Sequence, residues 1–131
     1  MGILAVIVAA LAGFAFGAVW YMALQKPWVE ASGIEVDDRG IPVDASVTPF
    51  VIAGIAMLLV AGMMRHSFAL SGIDTLGEGL KSGLGIGLFF ISPWIMINNS
   101  YGRRPFKLTV IDGGYATIGC AIMGAVLTLM S

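Results

Sequence analysis

The sequence predicts an all-α integral membrane protein, a bundle of four transmembrane helices with up-down topology. Three observations carry that prediction. Four apolar stretches occupy residues 3–24, 49–70, 76–98 and 106–130. Each is close to the roughly 20 helical residues that cross about 30 Å of hydrocarbon. Hydrophobic residues make up 58% of the chain and charged residues only 11%, against about 25% charge in soluble domains. Four spans within 131 residues leave only connecting loops, so the chain reads as a single transmembrane domain over 1–131.

Composition excludes several function classes. A net charge of −1 offers no basic stripe for nucleic acid. The single cysteine, Cys120, forms no disulfide within the chain. One His, one Cys and no paired carboxylates within a span supply neither a metal set nor a catalytic triad. The expectation is a protein that is not an enzyme, with no cofactor and no metal.

The first stretch reads as a retained span and not as a cleaved signal. It has no basic n-region and runs past the usual apolar length. Ala9, Gly13 and Gly17 recur every fourth residue, so they share one helix face where another backbone can come close. That face packs either within the chain or between chains. Trp20, Tyr21, Lys26 and Trp28 read as interfacial anchors, and Pro27 ends the helix. Residues 29–47 form an acidic loop, with Glu30, Glu35, Asp37, Asp38 and Asp44 against Arg39. It lacks the order of an EF-hand and reads as a solvated surface.

The second span opens at Thr48, a candidate N-cap, with Pro49 in the first turn. Arg65 and His66 sit near its far end as interfacial residues. The third span opens on Thr75 and Glu78, which have capping-box spacing. Gly79, Gly83 and Gly87 then form the strongest small-residue face in the chain. Pro93 follows in mid-span, where it frees the carbonyl of Phe89 and predicts a kink. Ser92 is placed to help satisfy that region.

Residues 100–105 form a basic turn with Arg103 and Arg104, and Lys107 follows; these three read as further anchors. The fourth span carries Ala116, Cys120 and Gly124, again one small-residue row. Asn98 and Asp112 lie at equal distance from Pro105, so an antiparallel hairpin brings them to similar depth. Asn98, Asn99, Asp112 and Tyr115 are therefore the candidate intramembrane polar cluster. Asp112, the one acidic residue well inside a span, has two readings. It is a proton or cation site, or a structural lock that pairs or hydrogen-bonds, with Lys107 or Arg104 reaching toward it.

The loops after the first and third spans carry Lys26, Arg39, Arg103, Arg104 and Lys107, against Arg65 and Lys81 on the other side. The positive-inside rule then puts both termini on the non-cytoplasmic side. Trp20 before Lys26-Pro27-Trp28, and Trp94 before Arg104-Pro105-Phe106, form a faint repeat consistent with two related hairpins.

Five blocks in order are Gly17-Ala18-Val19-Trp20-Tyr21, Lys26-Pro27-Trp28, Thr75-Leu76-Gly77-Glu78-Gly79-Leu80, Arg104-Pro105-Phe106-Lys107-Leu108 and Ile111-Asp112-Gly113-Gly114-Tyr115. In these the chain resembles the small four-helix bacterial membrane proteins catalogued as domain of unknown function 1761, over nearly its whole length. The resemblance implies a location in the bacterial cytoplasmic membrane and no known activity. Members often show Asn-Ala-Gly-Tyr where this chain has Asp112-Gly113-Gly114-Tyr115, which weighs against a proton-carrying role for Asp112.

Two function classes follow. The first is a structural or accessory membrane component that packs in the lipid bilayer as a homo-oligomer or with other membrane proteins. The second is a small homo-oligomeric transporter or channel built around Asp112, Asn98 and the Pro93 region.

Overall fold

Burial in this chain is concentrated on its last helix. The computed structural model describes residues 2–40, 42–43 and 46–131; Asp44 of the acidic loop lies outside the described residues. The elements are α1 (Gly2–Ala23), α2 (Gln25–Ser32), α3 (Thr48–Ser71), α4 (Leu76–Gly85), a π-helical segment (Ile86–Ile91), α5 (Ser92–Tyr101) and α6 (Phe106–Leu129). Taken together, α4, the π segment and α5 form one continuous rod, Leu76–Tyr101, and four helices are long and apolar enough to cross a membrane.

The spans lie in the order α3, α1, α6 and the α4–α5 rod. α6 packs on both α1 and the rod, α3 packs chiefly on α1, and α3 and the rod share no comparable face. The outer helices are the least buried, with 11% of an 18-residue apolar stretch of each enclosed against 44% for α6. Their uncovered side chains are apolar, among them Ile55 and Leu59 on α3 and Phe89, Phe90 and Trp94 on the rod. Such a surface suits lipid and not water.

Local sequence explains the element ends. Thr75 and Glu78 make the expected capping box: the Thr75 hydroxyl accepts from the Glu78 amide, and the Glu78 carboxylate accepts from the Thr75 amide. Gly72 ends α3 and Gly33 ends α2, each at positive φ (69° and 73°), where a side chain would be strained. The core joins Ala5, Ala9 and Ala10 of α1 with Ala61, Met64 and Phe68 of α3 and Cys120, Met123 and Leu127 of α6.

Several boundaries differ from the sequence reading. Pro27 does not end the first helix. The chain breaks at Leu24 and resumes as α2, with Pro27 in its first turn, where a missing N–H costs nothing. The acidic loop is accordingly shorter, and its first residues are helical. Thr48 is not a cap: α3 begins at Thr48 after Val47, without a side-chain cap bond. The third span continues to Tyr101, so Ser100 and Tyr101 belong to the helix and the basic turn starts at Gly102. The rest of the acidic loop folds on itself. Val36 bridges Pro42, and Arg39 pairs with Asp37 at 3.2 Å.

Pro93 is accommodated by the π segment immediately before it. Proline removes a donor and crowds the carbonyl four residues back; widening the turn gives that carbonyl room. The Ser92 amide reaches back five residues to the Gly87 carbonyl, and its hydroxyl donates to the same oxygen at 2.6 Å.

Candidate functional site

Every expected small-residue face is used inside the chain. A Cβ on Gly79 would lie 2.5 Å from the Gly124 carbonyl oxygen; one on Gly83 would meet the backbone of Cys120, and one on Gly87 the backbone of Ala116 and Thr117. The row Gly79, Gly83, Gly87 therefore lies antiparallel against Gly124, Cys120, Ala116, backbone on backbone. The same holds for α1. Ala9 is fully enclosed. A Cβ on Gly13 would meet Met123 at 3.0 Å, and one on Gly17 the Tyr115 ring at 2.8 Å.

The seam between α1 and α6 holds the polar chemistry. Tyr21 donates from its hydroxyl to the Asp112 carboxylate at 2.7 Å. Trp28 of α2 lies edge-on to Tyr21, ring centroids 6.0 Å apart. Trp20 donates its indole N–H to the Ile111 carbonyl at 2.9 Å. Tyr115 donates to the Gly13 carbonyl at 3.2 Å and meets Tyr21 edge-on at 5.4 Å. Glycine makes the closeness possible: a side chain on Gly114 would enter the Trp20 ring at 2.8 Å. These contacts join two of the sequence blocks, Gly17–Tyr21 and Ile111–Tyr115, residue by residue.

The four residues of the expected polar cluster do not meet as one group. Asp112 and Tyr115 face α1 and share Tyr21 as a neighbour. Asn99 faces α6 and donates to Thr109 at 3.1 Å. Asn98 is exposed on the outer side of the rod. Equal depth does not fix facing: Thr109, Gly113 and Thr117 mark the side of α6 toward the rod, and Asp112 is about 100° around from Gly113.

The anchors also divide. Trp20 and Tyr21 point into the seam, where their polar atoms find partners on α6. Lys26 and Arg103 are exposed. Lys107 pairs with Glu30 of α2 at 3.6 Å, and Arg104 donates to the Ser32 carbonyl at the end of α2. Neither of these two cations has Asp112 as its partner. Both contacts put the α1–α2 corner and the basic turn at one end of the molecule, as an up-down chain requires.

A second polar node centres on Ser92, which the sequence reading assigned to the Pro93 region without its partners on α6. Besides Gly87, Ser92 reaches the Gly113 carbonyl at 3.1 Å and the Thr117 hydroxyl at 3.3 Å, and Thr117 donates to the Gly113 carbonyl at 2.8 Å. Gly113 admits Ser92 because a Cβ there would sit 3.0 Å from the Ser92 hydroxyl oxygen. Thr117 stands four residues past Gly113, which hints at a back-bonded threonine but says nothing of Ser92.

Among the described residues no group of His, Cys, Asp or Glu gathers as a metal set. No buried side-chain polar atom among them lacks a partner. The arrangement ties spans together by hydrogen bonds in a medium where an unpaired polar group is costly.

No curated protein and no solved structure matches the chain. A family described as "Protein of unknown function (DUF1761)" matches residues 4–128, which covers nearly all of the four spans and both halves of the aromatic seam. The chain is a membrane protein of the DUF1761 family.

Proposed function

We propose that this protein is a non-enzymatic structural component of the bacterial cytoplasmic membrane, with its termini on the non-cytoplasmic side. One observation carries the reading. Asp112 accepts from Tyr21 at 2.7 Å within the α1–α6 seam, so the one carboxylate deep in a span is engaged in holding two helices together. The Pro93 region supports it, since Ser92 ties the π segment to Gly113 of α6. The side on which the termini lie rests on the basic residues of the α1–α2 corner and the 102–105 turn.

The role is exercised in an assembly of copies of this chain. The small-residue faces are occupied internally, which leaves the apolar outer faces of α3 and the rod as surface for association. α3 and the rod do not close on each other, so a second copy completes the helix row at its ends.

The test is the native mass and composition of the particle extracted gently from its own membrane, with the Asp112→Asn variant beside it. A discrete homo-oligomer that persists in the variant supports the proposal. A monomer, or co-purification of other proteins at fixed ratio, overturns self-assembly. Proton flux in proteoliposomes that disappears in Asp112→Asn overturns the structural reading in favour of a transporter.

A further inference from the structure

Arg65 stands near the end of α3 opposite the aromatic seam. The ion pairs among the described residues are Arg39–Asp37 and Lys107–Glu30, so Arg65 has no carboxylate partner there. Its guanidinium lies across Gly2 at the start of α1, where a Cβ would come within 2.6 Å of Cζ. Beside it opens a groove of about 690 Å³ between α1 and α3, walled by Ile3, Ile7, Leu58 and Gly62, with Arg65 as its only charged described wall. Leu58 is seven residues before Arg65, so the groove runs about 10 Å inward from the guanidinium.

A cation at the mouth of an apolar groove, at the depth where a span meets the headgroups, matches one kind of molecule. We propose that the α1–α3 groove binds an anionic phospholipid of the surrounding membrane. The Arg65 guanidinium takes the headgroup phosphate, and one acyl chain lies against Ile3, Ile7 and Leu58 across Gly62. Guanidinium and phosphate match in planar, two-point geometry. The long apolar stem of Arg65 lets its head reach the interface. A zwitterionic lipid brings its own cation to the phosphate and gains less. A second cavity, of about 410 Å³, flanks Arg65 on its other side and has Asp74 in its wall. That carboxylate repels an anion and directs it to the first groove.

The test uses the full chain in mixed micelles holding equal amounts of phosphatidylglycerol and phosphatidylcholine, with retained lipid counted by native mass spectrometry. Wild type retains phosphatidylglycerol about tenfold over phosphatidylcholine, the scale of one charge-assisted pairing. Arg65→Gln brings the ratio close to one. Gly62→Leu fills the groove and lowers phosphatidylglycerol occupancy with Arg65 intact; nothing lies within 4 Å of a Cβ at Gly62, so the helix accepts the side chain. Excess inorganic phosphate leaves the bound lipid in place. Equal retention of both lipids by wild type, an unchanged ratio in Arg65→Gln, or displacement by phosphate alone overturns the site. Should Arg65→Gln fail to fold, Gly62→Leu decides, and undiminished occupancy there overturns it.

Discussion

Gly83→Ala tests one of the tightest helix contacts among the described residues. A methyl group there would enter the carbonyl and neighbouring backbone of Cys120. Backbone cannot rotate aside as a side-chain tip can, so α4 must move away from α6. At the neighbouring position a Cβ on Gly79 would lie 2.5 Å from the Gly124 oxygen, so restoring an ordinary contact of 3.4 Å takes a separation of about 0.9 Å. A gap of about 0.5–1 Å forfeits a quarter to a half of each dispersion contact along the seam. Overpacking of this kind costs about 1–3 kcal/mol. Against it stands the better helix propensity of alanine, about 0.5–1 kcal/mol. The expected net loss is therefore about 1 kcal/mol, within a range of about 0–2.5 kcal/mol. Gly54→Ala is the matched control, since nothing lies within 4 Å of a Cβ there, and it is expected to gain the propensity term of about 0.5–1 kcal/mol. The assay is reversible unfolding in mixed micelles titrated with denaturing detergent, followed by helical circular dichroism. The two variants should move in opposite directions. If Gly83→Ala is as stable as Gly54→Ala, the backbone-on-backbone packing of α4 against α6 is wrong.

Tyr21→Phe removes the hydroxyl that reaches Asp112 and should cost about 1–2 kcal/mol in the same assay, because a carboxylate in the seam loses a charge-assisted bond. Asp112→Asn keeps an oxygen that can accept from Tyr21, so its loss should be smaller; a larger loss than Tyr21→Phe would refute the pairing. Ser92→Ala removes the bonds to the Gly87 and Gly113 carbonyls and should cost about 1 kcal/mol, with faster amide exchange confined to the π segment. Unchanged exchange there would mean that the hydroxyl does not hold the widened turn. Lys107→Ala breaks an ion pair whose side chains are 53% and 72% exposed; stability should change by less than about 0.5 kcal/mol, and a loss of several times that would show a buried role for the pair.

The four spans are legible in the sequence because a bilayer imposes a length and a composition that few other structures satisfy. The capping box at Thr75 and the small-residue rows are legible for a similar reason, since each depends on residues within a turn or two of one another. Pro93 announces a disturbance in the third span, but its form, a π turn held by Ser92, depends on α6 supplying Gly113 and Thr117. What only the tertiary structure decided is which row faces which. Gly79, Gly83 and Gly87 look as ready for another chain as for α6, and only the packed helices show that Ala116, Cys120 and Gly124 occupy them. Depth along a helix can be counted from residue number, and so Asn98 and Asp112 look like partners. Rotation about the axis is set by packing, and it turns Asp112 toward Tyr21 and leaves Asn98 outside. The chain's own periodicity thus determined the helices and their faces, whereas pairing between faces is a property of contacts many residues apart, to which a single sequence gives no distance.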